Sequence, residues 1–314
     1  MERLQNISVI EPITPAIERV KVLLFRPFDL AKWFTIGFCA WLAYLGQGGG
    51  GGFNFPGNGF DGHRGGGAPD LHNIFGGNLP LILTLAAIVS VVVLAIVVVC
   101  LWLGSRGKFM FLHCVATNRA EVSIPWHKYR QQGNSLFLFR IVAGIITLLA
   151  IAILAGIITG LGFLMYYNAA PIWMMVVSLV FISLITVVPL LIVIGVFFKL
   201  LSDFVVPIMF LRSTTAVEAW REFRPMLSAN KGAFTLYILF QIVIAMAIGA
   251  LVFAAVMFAC CACCCTACLW FIPYISTVIM LPVLIFRLAY SLNYLRQFGM
   301  AYDVFAIADG QSIS

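Results

Sequence analysis

Two long stretches that contain no charged residue and no histidine constrain this chain more than any other feature of its sequence. Ile141–Phe198 runs for 58 residues and Gly232–Phe286 for 55. A transmembrane helix needs about 20 apolar residues to cross roughly 30 Å of hydrocarbon, so each stretch is too long for one helix and predicts a helical hairpin. Hydrophobic residues make up 62% of the 314 and charged residues 10%, which excludes a soluble enzyme, a nucleic-acid-binding domain and a disordered chain.

The hairpins supply four of the six transmembrane helices that we predict. The first hairpin turns near Asn168–Pro171, and the second turns around Cys260–Cys268. Two further spans precede them, at about Leu30–Gly46 and Leu79–Leu103. Between these two spans, residues 47–78 are rich in glycine and predict a flexible outer loop. The expected fold class is all-α, a polytopic membrane helix bundle that forms a single transmembrane domain.

The basic residues alternate between the predicted loops and give an orientation. Arg64 is the only basic residue in the predicted outer loops, whereas the other eighteen of the 19 lie in or beside the N-terminal segment, the inner loops and the C-terminal end. Loops rich in Lys and Arg stay in the cytoplasm. We therefore expect both termini to be cytoplasmic, and we expect the inner face to contact the lipid bilayer through anionic phospholipid.

Three similar units follow one another, at about 14–119, 120–212 and 213–305. Each unit begins with an amphipathic helix at the membrane interface, continues through two spans and ends with a largely apolar extension that leads to an Arg. The clearest interfacial motifs are Trp126-x-x-Tyr129-Arg130 and Trp220-x-x-Phe223-Arg224. The pattern predicts a threefold internal repeat, although every inner loop of a membrane protein also needs an aromatic anchor and an Arg.

Six of the nine cysteines lie at the predicted outer turn of the second hairpin: Cys260, Cys261, Cys263, Cys264, Cys265 and Cys268. Thiolates at this density can hold Cu(I) or zinc, and on the outer side they can form disulfides. Cysteine is also a small buried hydrophobe that suits tight helix packing. No CxxC pair is matched by a second one at zinc-site spacing, so we favour packing and assign no metal.

Ionisable residues at membrane depth are candidates for a functional site. Lys199 and Asp203 have the i, i+4 spacing of a helical ion pair, and Arg287 lies near the inner end of the last span. All three are close to the interface, where snorkelling towards water also accounts for them. Other polar groups at mid-membrane are few, chiefly Gln241, which argues against an ion-coupled transporter with carboxylates at its centre.

Recurring arginines on the inner side are the candidate contact with lipid or with a partner subunit. They occupy matching or neighbouring positions of the three units: Arg119, Arg130, Arg212, Arg221, Arg224 and Arg296. Each basic residue near an anionic membrane surface contributes about 1 kcal/mol to the attraction. The partner can be another membrane protein or a second copy of the chain, and topology alone is the simpler explanation of these arginines.

The chain has no HExxH, GxSxG or P-loop motif, so we assign no catalytic residue and no cofactor. The expected function is that of a non-enzymatic integral membrane protein that binds anionic lipid or a partner at its inner face. Two alternatives stay open. One is a permease or channel with a path through the bundle, and the other is a membrane-embedded metal or redox protein that uses the cysteines.

Short motifs in the second half of the chain carry a resemblance to known membrane proteins. They are Asp203-Phe-Val-Val-Pro-Ile-Met, Ala219-Trp-Arg-Glu-Phe-Arg-Pro, Ile272-Pro-Tyr-Ile-Ser-Thr-Val and Leu295-Arg-Gln-Phe-Gly. The stretch from about residue 100 to 305 resembles uncharacterised bacterial six-span families, similar in style to the YciC-like and glycerophosphodiesterase-associated membrane domains. The resemblance implies a location in the bacterial inner membrane. It implies no catalytic residue and no phosphodiesterase activity, because the chain has no such domain.

Overall fold

The computed structural model describes residues 7–45, 71–168, 171–262 and 273–306. Within these ranges every regular element is helical and no strand occurs, which confirms the all-α class. The elements are α1 (Ile13–Leu24), α2 (Leu30–Tyr44), α3 (Leu71–Thr117), α4 (Ser123–Lys128), α5 (Arg130–Tyr167), α6 (Ile172–Leu200), a π-helical turn (Leu201–Val205), α7 (Val206–Arg212), α8 (Ala216–Ala229), α9 (Lys231–Ala262), α10 (Pro273–Ile279), α11 (Leu281–Arg296) and a 3₁₀ turn (Met300–Tyr302).

Four of the described helices are long and apolar enough to cross a membrane. Their membrane-length parts are Leu83–Thr117, Arg130–Tyr167, Ile172–Arg212 and Lys231–Phe258. The hairpin turn predicted near Asn168 is confirmed, since α5 ends at Tyr167 and α6 begins at Ile172. At the predicted first and sixth spans, α2 has 15 residues and α11 has 16, fewer than the about 20 that a crossing needs.

Helix α3 begins earlier than the sequence predicts. It starts at Leu71, inside the segment 47–78 that was assigned to the Gly-rich loop. Leu71, Ile74 and Phe75 recur with the i, i+3, i+4 spacing of a helix, and this local pattern outweighs the glycines that follow. The rest of the predicted loop lies outside the described residues.

The buried core lies beyond the apolar runs, in the extensions that follow them. Phe109 of α3, Phe204 of the π-helical turn and Leu292 of α11 belong to one cluster of buried side chains. In contrast, no more than 6% of the most hydrophobic stretch of each membrane-length helix is buried. The extensions predicted after the spans are therefore continuations of the helices, and they hold most of the packing.

Aromatic rings fill the centre of this core. Phe204 stacks on Phe223 with centroids 5.4 Å apart, and Phe234 meets Phe204 edge to face at 5.2 Å. The ring centroids of Tyr237 and Tyr294 lie 4.6 Å apart. Such pairs contribute about 0.5–1.5 kcal/mol beyond the area that they bury. The rings thereby fix α8 and α9 against the π-helical turn and α11.

Helix α8 is the amphipathic helix that its sequence predicts. The Thr215 hydroxyl accepts from the Glu218 backbone N–H, and the Glu218 carboxylate accepts from the Thr215 N–H at 3.0 Å, a complete capping box. This second hydrogen bond lowers the pKa of Glu218. Phe223 is buried on one face, whereas Arg221 and Arg224 are exposed on the other.

A cation in contact with two mutually perpendicular indole rings joins α3 to α4 and α5. The Arg106 guanidinium lies 4.3 Å from the Trp102 ring centroid and 4.9 Å from that of Trp126. It also donates to Asn134 Oδ1 at 3.1 Å. Trp126, which the sequence marks as an interfacial anchor, thus binds an arginine of α3.

Helix α2 packs along the extension of α3. The ring of Tyr44 meets that of Phe111, and Lys32 Nζ donates to Asn118 Oδ1 at 2.9 Å. The contact is closest at Gly107, where an added Cβ atom would lie 2.5 Å from the backbone nitrogen of Ala43. No side chain fits between the two backbones at this point, so the close approach of the helices requires glycine.

We expect Gly107→Ala to destabilise the protein by about 1–3 kcal/mol, because the extra methyl group must push α2 away from α3. Thermal unfolding in detergent measures the effect as a lower Tm. The matched control is Gly144→Ala in α5, where no atom lies within 4 Å of an added Cβ. Equal changes in Tm for the two variants would contradict the close contact at Gly107.

Candidate functional site

A cavity of about 240 Å³ lies where α2, α3, α6 and α11 converge beside the π-helical turn. Charged groups line one part of it and apolar groups the rest. The polar lining comprises Lys108, Lys199, Ser202, Asp203 and Arg287. The apolar lining includes Phe111, Leu112, Phe198, Val206 and Leu288. The cavity is therefore amphiphilic.

The sequence places the charged groups at this level because each follows the end of an apolar run. Lys199 comes directly after the charge-free stretch that ends at Phe198, and Arg287 directly after the stretch that ends at Phe286. Lys108 lies two residues beyond Arg106, the first charged residue after the apolar run of α3. The structure brings all three predicted intramembrane ionisable residues, Lys199, Asp203 and Arg287, to one cavity and adds Lys108.

Asp203 is held by a short chain of hydrogen bonds. Lys199 Nζ donates to Asp203 Oδ2 at 2.6 Å, which confirms the ion pair that the i, i+4 spacing predicts. Tyr237 donates its hydroxyl hydrogen to the same oxygen at 3.0 Å, and Gln241 Nε2 donates to the Tyr237 hydroxyl at 3.1 Å. The carboxylate is thereby fixed in position by α6 and α9.

The π-helical turn has a local cause in Pro207. Proline has no backbone N–H, and its ring clashes with the carbonyl of the residue four positions earlier, here Asp203. The helix accommodates this by widening over Leu201–Val205 before α7 continues. Turns of this kind often occur at functional sites, and this one carries Ser202 and Asp203 into the cavity.

Most of the positive charge around the cavity has no carboxylate partner among the described residues. Lys108 is 8% exposed and donates to the Ser202 hydroxyl, while Arg140 is 7% exposed and donates to Ser105 Oγ at 3.4 Å. Arg287 makes neither a hydrogen bond nor an ion pair with any residue that the structure describes. A buried cation without a counter-charge is costly, so the arrangement favours a bound anion.

The recurring arginines are spread over several segments, with Arg221 and Arg224 together on α8, and they do not line the cavity. Three of them pair with carboxylates: Arg119 with Glu121 at 3.8 Å, Arg212 with Glu222 at 3.3 Å and Arg296 with Asp303 at 3.0 Å. The other three, Arg130, Arg221 and Arg224, are exposed and pair with no carboxylate within the described ranges. Their contact with lipid or a partner stays a prediction.

Tyr302 extends one of these ion pairs. Its hydroxyl donates to Glu222 Oε1 at 2.9 Å, the same oxygen that pairs with Arg212. Burial and this hydrogen bond to a carboxylate raise the pKa of Tyr302. The group ties the end of α7 to α8 and to the 3₁₀ turn, which is a structural role.

The cysteine cluster cannot be compared with its prediction. Cys263–Cys268 lie outside the described residues, and α9 runs through Cys260 and Cys261 without a described position for their side chains. Elsewhere, Cys39 and Cys114 meet between α2 and α3 with their sulfur atoms 3.9 Å apart. Within the described ranges, no group of three or more His, Cys, Asp or Glu residues is placed to hold a metal ion.

Sequence reasoning missed Lys108, Ser202 and Tyr237 as members of the site. Lys108 had a usable signal, since it occupies the position in the first unit that Lys199 and Arg287 occupy in the others. Ser202 and Tyr237 had none, because a serine or tyrosine in an apolar helix is equally typical of packing.

Comparison with known protein families gives one match. The model of a family of unknown function, DUF7544, matches residues 7–294. No curated protein and no solved structure matches the chain.

The ion pair at the cavity should contribute more to stability than an exposed pair does. In a double-mutant cycle of Lys199→Gln and Asp203→Asn, we expect a coupling energy of about 1–3 kcal/mol, because the pair is partly buried and charge-assisted. The control cycle uses Lys21 and Glu18, 4.0 Å apart and both more than half exposed. There we expect no more than about 0.5 kcal/mol. Unfolding free energies in detergent measure both, and equal couplings would contradict the structural assignment.

Proposed function

The chain belongs to the family of unknown function DUF7544, and we propose that it is a non-enzymatic integral membrane protein that binds anionic lipid in its cavity. The observation that carries the proposal is the lining of that cavity. Lys108, Lys199 and Arg287 face one carboxylate, that of Asp203, beside a wall of apolar side chains.

Charge supports an anion as the ligand. Three cations and one carboxylate leave the lining with an excess of positive charge, and Arg140 adds to it next to Lys108. In a region of low dielectric constant such an excess is strongly unfavourable until an anion neutralises it. Arg287 is already free to take part, because it binds no other described side chain.

Position supports a lipid as the source of the anion. The charged lining begins where the apolar runs of α6 and α11 end, which is the level of lipid head groups when those runs lie in hydrocarbon. Gly195 and Phe198, which precede Lys199 in α6, continue the lining towards the apolar side. A lipid can thus place its head group between the cations and its glycerol and acyl groups along apolar side chains.

Contacts between the start of α9 and the second half of α11 support six membrane crossings rather than four. Near the start of α9, the carbonyl of Ala233 accepts from the Tyr294 hydroxyl at 2.9 Å, and the Tyr237 and Tyr290 rings stack. The chain therefore leaves the core along α9 and returns to the same core in α11. If α9 crosses the membrane, the return must cross it as well, and the predicted sixth span supplies that crossing.

The same reasoning applies to the first unit. Tyr290 donates its hydroxyl hydrogen to the carbonyl of Val9 at 2.8 Å, so the start of the described chain lies at the core end. Helix α3 runs towards that end, and a crossing outwards must precede it. The sequence assigns that crossing to the segment of α2, whose exposed stripe of Leu30, Phe34 and Phe38 is apolar as a lipid-facing surface is, although the described part of α2 packs beside the extension of α3. We propose both termini in the cytoplasm of a bacterial cell, on the charge distribution.

The cavity also supports the threefold repeat. Lys108 belongs to the first unit, Lys199 and Asp203 to the second and Arg287 to the third, at corresponding points of their helices. A site built from all three units on a common axis is the arrangement that duplication would produce.

A permease for an anionic solute is the second candidate, and the same charged cavity between the units favours it. The two functions differ in whether the anion is carried across the membrane. Uptake of a labelled anion into vesicles that contain the protein would favour the permease, whereas binding without uptake would favour the lipid site.

Reporter fusions test the topology. A reporter at Ser314 and a reporter within 48–67 should lie on opposite sides of the membrane, because five crossings separate them in the six-span arrangement. If only the four helices of membrane length cross, four crossings separate the two points and both reporters lie on the same side. The latter result would overturn the six-span proposal.

Lipid that stays bound during purification tests the function. Native mass spectrometry should detect anionic phospholipid on the parent protein, and Arg287→Gln should reduce it roughly tenfold, since a charge-assisted hydrogen bond is lost. The matched control replaces Arg221 and Arg224 with Gln, both exposed and outside the cavity. Loss of lipid only in that control would move the site to the arginines of α8, and absence of anionic lipid from the parent would refute the proposal.

A further inference from the structure

The geometry points to a phosphomonoester as the head group in the cavity, carried by a lipid of the phosphatidic acid type. The inference rests on the proposed lipid site and narrows the class of lipid. It follows from the charge of the lining, the donors that the lining presents and the size of the space.

The charge of the lining matches a doubly charged anion. With all four groups ionised, Lys108, Lys199 and Arg287 carry three positive charges and Asp203 one negative charge, which leaves the lining itself with an excess of two. A phosphomonoester carries a charge of about −1.5 to −2 at neutral pH. A phosphodiester lipid has one negative charge and would leave one cation of the lining without compensation.

The donors match the terminal oxygens of such a group. The Arg287 guanidinium has a planar fork of N–H groups that suits two phosphate oxygens, and it has no other described partner. Lys108 Nζ donates to the Ser202 hydroxyl, which leaves that hydroxyl free to donate its own hydrogen into the cavity. These groups come from three different helical segments, so they can surround a tetrahedral anion rather than approach it from one side.

The size of the cavity favours a compact head group. At about 240 Å³ it is smaller than the pockets of about 300–1,000 Å³ that hold drug-sized ligands. A head group without a sugar or an amine beyond the phosphate is the compact form of an anionic lipid. The Asp203 carboxylate, which pairs with Lys199, would also repel additional negative charge on a larger head group.

A comparison of two lipids with identical acyl chains tests the inference. The full chain in nanodiscs of phosphatidylcholine is titrated with phosphatidic acid and with phosphatidylglycerol, and native mass spectrometry records the occupancy. We expect phosphatidic acid to bind at least about tenfold more tightly, because its second charge lies beside the cations of the lining. Glycerol 3-phosphate, added without lipid, should bind more weakly than phosphatidic acid.

Variants of Arg287 link the preference to the cavity. Arg287→Gln should bring the two lipids to within about twofold of each other, and Arg287→Lys should restore most of the preference because it keeps the charge. Neither change breaks a hydrogen bond or an ion pair with a described residue. Arg224→Gln, on the exposed face of α8, should leave the preference unchanged.

Three results would overturn the inference. They are equal affinity for the two lipids in the parent protein, a preference that survives Arg287→Gln, and affinity for glycerol 3-phosphate as high as that for phosphatidic acid. Equal affinity with loss of both lipids in Arg287→Gln would leave the proposed anionic-lipid site intact. If neither anionic lipid binds the parent protein, the proposed function itself fails.

Discussion

The packing of the helix extensions against one another is the interaction on which the rest of the structure depends. Inside a bilayer, apolar helices gain little by leaving lipid for each other, because lipid tails are as apolar as leucine. The most hydrophobic parts of α3, α5, α6 and α9 are accordingly almost entirely exposed. One cluster of buried side chains beyond those parts, with the rings of Phe204, Phe223 and Tyr294 in it, includes residues of all four helices and holds them in one arrangement.

The cavity is a consequence of that arrangement. Helices that diverge on the apolar side and converge in the core leave a space where the two regions meet. A basic residue at or shortly after the end of each of three apolar runs reaches this level, so Lys108, Lys199 and Arg287 share this space. The core provides one carboxylate, Asp203, and fixes it through Tyr237. The remaining positive charge is available to be neutralised by a bound anion.

The sequence predicts the parts of this fold that depend on local pattern. The hairpin turn at Asn168, the amphipathic helix begun by Thr215 and the pairing of Lys199 with Asp203 all follow from the spacing of residues along one or two turns. The cavity does not, because its members come from segments about 90 residues apart. The carboxylate partners of Arg212 and Arg296 lie only ten and seven residues further on, but beyond the end of the helix that carries the arginine, so helical spacing does not predict them. The early start of α3 at Leu71 shows that glycine content alone does not bound a loop.

The π-helical turn at Leu201–Val205 makes the spacing between α6 and α7 sensitive to chain length. Each residue of an α-helix rotates the following side chains by about 100° around the axis. Deleting one residue from the turn would allow a regular helix, yet it would rotate α7 by that angle relative to α6. Phe210 and Ile208, which are buried in the core, would then face other directions while Lys199 kept its place. Amino-acid substitutions in the π-helical turn keep the rotation of α7 relative to α6. A single insertion or deletion changes that rotation, so the core residues of α7 and the cavity residues of α6 can no longer both keep their positions.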